Sequence, residues 1–507
     1  MYSVTLSDDL STLDTQLSLA ASYHKQGKDE DAIQCYRAVL NSRPDHAEAN
    51  FQLGCLLLDR WQLADAIAYF QQSLCSGSHH DLAAIYCNLG EAYRRLNYFE
   101  DAAQYLRQSV AIQPKSVQAL TSLGLTLLVL GEVAEARNVM QKAISLQTDL
   151  PHWQFYQGLF FLAIGDYQHG LPLYEQRPGM TQHIPFPYFA TKPRWQGENL
   201  QDKNILVWSE QGAGDHIMMM RYIPLLKLRS PKSITIFCEP ELMRVMHTVA
   251  DNVVSRLEPL SIDCFDCHCS IMSLPYLFSS TLATIPNDVP YLSVPSRLSD
   301  QWGRWLSGVP GLKVGIAWAG NKILKKDFLR SMPLKTLAPL FDVAGVRFFC
   351  LQKGAPAEEM AQENWPIVDC MGQCHDFMET AALMQHLDLV ICVDTSIAHL
   401  AGAIGKPVWL LNRFESEWRW MMHGADSIWY PNLRIFRQTA VRNWGDVVQK
   451  VASELAALVH ASSHVKHVSH INEKIADAFM QHNAKKNAPS NDSRLKESFF
   501  SRWFGKR

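Results

Sequence analysis

Small residues recur at a near-constant interval through the first third of the chain. Ala20, Gly54, Gly90, Gly124 and Gly158 are separated by 34, 36, 34 and 34 residues. Twelve residues after these anchors stand Ala32, Ala66, Ala102, Ala136 and Gly170, and four residues further Tyr36, Phe70, Leu106, Met140 and Tyr174. Tyr23, Tyr93 and Phe161 follow three residues after their anchors, and Pro44, Pro114 and Pro151 punctuate the unit ends. A fixed period of this length marks stacked supersecondary units, each burying its apolar face against the next. The small residues let paired helices approach, and the large ones fill the groove between successive pairs.

This small–aromatic–small–large pattern resembles the tetratricopeptide repeat, a helix–turn–helix unit of 34 residues. The resemblance runs from about residue 13 to 178, as four repeats and a degenerate fifth, and predicts an array over residues 1–178. Such arrays present a surface that binds a peptide or another protein, or else serve only as packing or self-association elements. His79-His80 falls at the two-residue insertion and reads as a loop irregularity.

The 507 residues suggest about three domains, and 47% hydrophobic with 19% charged residues allows large cores. A net charge of −3 argues against a general nucleic-acid binder. The acidic start MYSVTLSDDLSTLD lacks a signal-peptide layout, and no apolar run reaches membrane-spanning length. Twelve scattered cysteines then fit reduced thiols in a cytoplasm. The expected location is cytoplasmic.

Residues 179–197, rich in proline and aromatics, read as a linker. Beyond it, apolar strands alternate with helical segments: Asn204–Trp208, Ile234–Cys238, Val314–Trp318 and Arg347–Leu351. Such alternation implies parallel sheets, with one α/β domain over 198–295 and another over 311–458, parted by the proline-bearing stretch Val289–Pro310. Ligands of such sheets bind at the carboxyl ends of the strands, here the loops at 210–216, 319–322, 352–354 and 394–396.

Two of these loops carry chemistry. After the first strand, Glu210-Gln211-Gly212-Ala213-Gly214-Asp215 opens a helix. Its glycines let a ligand or another backbone come close to the main chain, and Asp215 is either a cap or a carboxylate placed to act as a base. The spacing falls short of a dinucleotide fingerprint. The other is LDLVICVDTSIAHLAGAIGKPVWL, residues 388–411. Leu389–Val393 lacks in/out alternation and reads as a buried strand. Asp394-Thr395-Ser396 can cap the helix Ile397–Ile404, which ends at Gly405 before the strand Val408–Leu411. Free amides and the helix dipole attract an anion there, and His399 shares the face of Thr395 and Ser396.

Along both domains stand, in order, Trp208-Ser209-Glu210-Gln211-Gly212-Ala213-Gly214-Asp215, Arg221-Tyr222-Ile223-Pro224, Ser273-Leu274-Pro275, Ala317-Trp318-Ala319-Gly320-Asn321, Arg330-Ser331, Asp394 to Gly402, Trp418-Arg419-Trp420, Trp429-Tyr430-Pro431 and Phe436-Arg437-Gln438. Over residues 195–458 the chain resembles heptosyltransferase-related glycosyltransferases that carry tetratricopeptide repeats, and more distantly the protein O-GlcNAc transferases. The resemblance implies a GT-B fold of two Rossmann-like domains behind the repeat solenoid. It implies inverting, metal-independent transfer of a hexosyl or heptosyl unit from a nucleotide-diphosphate sugar, a co-substrate, with no cofactor. Asp215 would be the base. Gly212, Gly214, Asn321, Arg330, Gln352, Asp394, Thr395, Ser396, His399 and Gly402 would bind the donor, and Lys322, Lys325 or Lys326 would join Arg330 in compensating the leaving diphosphate. Glu417 stands where many relatives show an aspartate. The acceptor would be a protein or a glycan, with a protein partner held by the repeats. The alternatives are a scaffold that keeps the transferase fold without turnover, and a nucleotide-sugar-modifying enzyme such as an epimerase.

Cys264, Cys267, His268 and Cys269 form an incomplete zinc pattern and read as buried thiols. Trp418, Trp420 and Trp429 look exposed and suit either a sugar pocket or the core. Residues 461–507 read as a flexible tail whose basic-aromatic end, RLKESFFSRWFGKR, suits peripheral contact with a membrane or partner.

Overall fold

The computed structural model describes residues 4–76, 81–146, 149–177, 191–324, 326–361 and 365–463. Lys325, His79-His80 and the expected C-terminal tail from residue 464 lie outside them, as does most of the expected linker. The chain divides into two compact units. One holds residues 1–186 with Phe414–Met422; the other holds 187–413 with the chain from His423 onward.

The first unit is a stack of helix pairs: α1 (Val4–Lys25) with α2 (Asp29–Ser42), α3 (Ala47–Asp59) with α4 (Leu63–Cys75), and α5 (Leu82–Arg95) with α6 (Phe99–Ile112). Then come α7 (Val117–Val129) with α8 (Val133–Ser145) and α9 (Pro151–Ala163) with α10 (Tyr167–Tyr174). The periodic positions meet as their sizes require. A Cβ on Gly54 would lie 2.6 Å from Phe70, on Gly90 2.5 Å from Leu106 and on Gly124 2.9 Å from Met140. Each of these three glycines therefore receives the large side chain sixteen positions later. Asp81 and Ser116 side chains cap α5 and α7. Glu91 is buried between the guanidinium groups of Arg94 and Arg95, at 2.8 Å from each.

Phe414–Met422 is a finding of the structure. It follows the strand at 408–412 in the chain, yet belongs with the repeats. The Phe414 ring lies 6.1 Å from Phe99, Trp418 lies 5.6 Å from Tyr174, and Glu415 is 3.6 Å from Arg94. Trp418 and Trp420 are buried, as is Trp429 in the other unit, correcting their exposed reading. Bulky indoles in irregular segments give no periodic signal by which burial could be read.

The second unit has two parallel α/β lobes. The first contains β1 (Asn204–Trp208), β2 (Ser233–Cys238), β3 (Asn252–Ser255) and β4 (Cys267–Ser270), ordered β3-β2-β1-β4. The second contains β5 (Leu312–Ala317), β6 (Val346–Cys350), β7 (Ile367–Val368), β8 (Leu389–Val393), β9 (Val408–Asn412) and β10 (Leu433–Arg437). Its order, β10-β9-β8-β5-β6-β7, is the doubly wound order of Rossmann folds. Every residue of β8 and β9 is buried, which is why neither strand alternates. Helices α11 (Ala213–Met219), α12 (Ser296–Leu306), α13 (Phe377–Met384), α14 (Ser396–Ala403) and α15 (Gly445–Ser463) complete the parts used below. Asp376 caps α13 by accepting the Glu379 amide at 2.8 Å. Helix α12 packs on α13, with Ser299 Oγ 2.9 Å from His386 Nε2, so packing with the second lobe begins before residue 311. Among the described residues no helix is long and apolar enough to cross a membrane.

Candidate active site

A parallel sheet opens a crevice where its strand order reverses, because the connections on either side leave in opposite directions. In the first lobe the reversal lies between β1 and β4, and in the second between β5 and β8. The glycine turn follows β1, and the Asp394–Ser396 turn follows β8. Both stretches singled out in the sequence therefore stand at switch points.

The two turns touch. A Cβ on Gly214 would lie 2.7 Å from His399 Cδ2 and 3.2 Å from Ser396 Cα, so only a glycine lets α11 and α14 approach this closely. Asp215, on the first turn of α11, is half-buried, and its Oδ2 accepts the Gly212 amide at 3.1 Å. The cap reading is thus realised, and it fixes the carboxylate at the mouth of the first lobe. Beside it Glu210 is buried, accepting a hydrogen bond from Ser270 Oγ across the β1–β4 gap. His216 Nε2 lies 2.6 Å from the Glu210 carbonyl and its Nδ1 3.3 Å from Glu239. Burial pushes the Glu239 carboxyl up, but hydrogen bonds and charge from His216 and Arg256 outweigh it and hold it at about 2.

On the second lobe Thr395 is the N-cap of α14, but its side chain makes no capping bond and its buried Oγ1 has no hydrogen-bond partner among the described residues. Of the three side chains expected to cap this helix, the one at the N-cap position, Thr395, does not do so. The first amides keep the anion-attracting character of an uncapped N-terminus. Arg330 Nη1 donates to the Asp394 carbonyl at 2.9 Å, bridging the β5 and β8 loops across the switch point. Its Nε donates to buried Asp327 at 3.0 Å, and Asp327 also accepts Ser331 Oγ at 2.7 Å.

The remaining expected donor residues have defined contacts within the protein. Gln352 Oε1 accepts the amides of Trp318 and Ala319 at 3.1 and 2.9 Å, fixing the end of β5. Asn321 is exposed and accepts the Ile323 amide at 3.0 Å within its own turn. Gly402 makes room for the Tyr430 ring, whose Cε1 would lie 2.7 Å from an added Cβ. Lys322 is exposed and Lys326 half-buried. Among the described residues no group of three or more His, Cys, Asp or Glu is placed to hold a metal ion. Cys267 and Cys269 are buried in β4, but Cys264, in the turn before it, is exposed, which corrects its buried reading, and His268 Nδ1 accepts from Trp208 Nε1 at 3.1 Å.

Arg221, Tyr291 and Tyr430 were not singled out as site residues. The buried Arg221 guanidinium sits 4.6, 5.4 and 4.5 Å from the ring centroids of Tyr291, Trp429 and Tyr430. It donates to the Pro286 and Trp429 carbonyls and, at 3.0 Å, to Tyr291 Oη. Tyr430 Oη lies 3.0 Å from His399 Nδ1. A cation among three aromatic rings draws residues far apart in sequence onto the back of the site. The Arg-Tyr and Trp-Tyr-Pro motifs held those residues, without indicating that they meet.

Comparison with known proteins bears on this geometry. A glycosyltransferase family 9 (heptosyltransferase) model matches residues 335–420, which run from before β6 through the α14 turn. Repeat models match residues 21–59 (TPR repeat) and 87–151 (tetratricopeptide repeat). The chain combines tetratricopeptide repeats with a glycosyltransferase family 9 domain. It is also similar to Protein FlbA of Caulobacter vibrioides, 26% identical over 451 residues covering 82% of this chain and 73% of FlbA. Among solved structures it is similar to pilF of Pseudomonas aeruginosa, at 18% identity and TM-score 0.31 over 43% of this chain and 86% of that one. It is likewise similar to a thermophilic TPR protein of Thermus thermophilus, at 19% identity and TM-score 0.30 over 34% of this chain and 94% of that one. The transferase domain thus includes the uncapped α14 turn.

Proposed function

We propose that the protein transfers a sugar from a nucleotide-diphosphate donor to a hydroxyl of a protein or glycan acceptor, with inversion and without a metal. The observation that carries this reading is the contact of the two switch-point turns through Gly214, which brings a fixed carboxylate beside an uncapped helix N-terminus. Inverting transfer needs a base for the acceptor hydroxyl, and dipoles or cations for the departing diphosphate. Asp215 is the base. The first-turn amides of α14, with Thr395 and Ser396 and with Arg330 behind them, receive the diphosphate. Asp394 closes the same turn. The repeats select the acceptor or a protein partner.

The test is a thermal shift with UDP, GDP, ADP and CMP sugars, followed by transfer assays on the donor that binds. Asp215→Asn should keep the shift and lose transfer. Undiminished turnover would remove Asp215 from the role of base, and no shift with any donor would favour a scaffold that keeps the fold without turnover.

A further inference from the structure

A buried histidine follows Asp215 on the first turn of α11. His216 Nε2 lies 2.6 Å from the Glu210 carbonyl, which can only accept, so Nε2 carries a proton. Nδ1 faces Glu239 Oε2 at 3.3 Å, and neither of these buried atoms has another partner among the described residues. The other Glu239 oxygen accepts Arg256 Nη1 at 2.7 Å, and a carboxyl held at about 2 is ionised at neutral pH. Glu239 therefore has no proton to give. With Nδ1 bare, a nitrogen lone pair and a carboxylate lone pair face each other away from water, and both stay unsatisfied. With a proton on Nδ1, the same contact becomes charge-assisted and attractive.

We propose that the Nδ1 proton of His216 is a latch, tying the first turn of α11 to the loop after β2, so that His216 is a positioning residue for the Asp215 carboxylate. The imidazole spans the ends of two adjacent strands. Glu210 and Glu239 each stand two residues beyond the paired Trp208 and Phe237 of β1 and β2. The charged groups on the elements around the ring are Asp215 on its own turn, Glu210 after β1, Glu239 after β2 and Arg256 after β3. His399 on α14, which packs on α11, and Arg221 just past the end of α11 complete them. Among the described residues Glu239 alone forms an ion pair with His216. Burial and the positive end of the helix both oppose a second proton on the ring, so that proton depends on Glu239. The link to transfer rests on Asp215 being the base; the latch itself does not.

The experiment is two-bond 15N–1H correlation spectroscopy on full-length protein labelled at histidine, from about pH 5 to about 8. The His216 signal is assigned by its loss in His216→Gln. The expected ring is protonated at both nitrogens at the acid end and loses the Nδ1 proton alone as pH rises. A ring that stays singly protonated at the acid end, or gives up the Nε2 proton first, overturns the inference. Glu239→Gln keeps the shape and removes the charge, so where the wild-type ring is doubly protonated that fraction should fall about tenfold or more. An unchanged fraction, with the melting temperature retained, refutes the latch. Hydrogen exchange over residues 209–222, corrected for the pH dependence of intrinsic exchange, reads the positioning. Protection should fall as the wild-type ring loses its Nδ1 proton, and should hold steady in Glu239→Gln, whose amide can donate to the bare nitrogen. Wild-type protection indifferent to that proton overturns the inference even where Glu239→Gln does not fold. With a donor that gives a thermal shift, kcat should follow the same titration. Exchange that follows the proton while kcat does not would remove Asp215 from the role of base and leave the latch standing.

Discussion

An alanine at position 214 puts a methyl group where the two lobes meet. Its carbon would stand 2.7 Å from His399 Cδ2, 3.2 Å from Ser396 Cα and 3.4 Å from His399 Nε2. Non-bonded carbons rest at about 3.5–4.0 Å, so the histidine edge must retreat by about 1 Å. It has little room to do so. His399 is buried and tied to Tyr430, Ser396 Cα belongs to the backbone of the first turn of α14, and the start of α11 is held by the Asp215–Gly212 bond. Overpacking of this kind costs about 1–3 kcal/mol. For a unit this large that lowers the melting temperature by roughly 2–4 °C per kcal/mol. If the proposed function holds, the effect on chemistry should exceed the effect on stability, because a misplacement of about 1 Å between the proposed base and donor turn costs about 100-fold in rate. The assays are differential scanning calorimetry and kcat/KM for the donor that gives a thermal shift. The control is Gly308→Ala, whose added methyl meets nothing within 4 Å. A Gly214→Ala protein that melts and turns over like Gly308→Ala would refute the close contact of the two turns, and with it the shared site.

Glu91 gives a prediction for the repeat array. Burial pushes its carboxyl up, but the Arg94 and Arg95 guanidiniums outweigh that and hold it at about 2, below its ordinary 4.5. A depressed carboxylate stabilises the folded state fully above its unfolded pKa and loses that contribution as pH falls, here from about 4.5 toward 2. Wild-type melting temperature should therefore fall more steeply across this window than that of Glu91→Gln. The variant should itself be less stable at neutral pH, since Arg95 loses its carboxylate and Arg94 keeps only Glu415, 3.6 Å away. Parallel pH profiles would refute the assignment. For the thiols, Cys75 and Cys264 are exposed, while burial pushes Cys87, Cys238, Cys350 and Cys370 up to about 12. Ellman's reagent should titrate Cys75 and Cys264 rapidly in the native protein and the buried thiols only in denaturant. Rapid native reaction at Cys392, buried in β8, would contradict the packing of that strand.

What was legible in the sequence was what repeats or runs. The 34-residue period announced the helix pairs because one small residue per unit must admit one large one, as Gly54 admits Phe70. Strand β8 was readable end to end, since a strand buried on both faces has no reason to alternate. Strands β3 and β7 escaped a residue-level reading because each has at most four residues, too few to show a period. The grouping of Phe414–Met422 with the repeats was hidden for a different reason. Its motif order fits the transferase, and only the contacts of Glu415 with Arg94 and of Trp418 with Tyr174 reveal which unit it packs in.

The glycines mark a deeper limit. Gly212-Ala213-Gly214-Asp215 says that something comes close to the main chain, and a ligand and a protein neighbour satisfy that statement equally. At Gly214 the neighbour is His399, and at Gly402 it is Tyr430, so both glycines act through protein contacts made on α14. Gly402 seats the phenol that lies against the imidazole, and Gly214 lets the imidazole edge reach the turn that bears Asp215. The first amides of α14 suit an anion, and these two glycines are what hold the helix face bearing them against the carboxylate's turn.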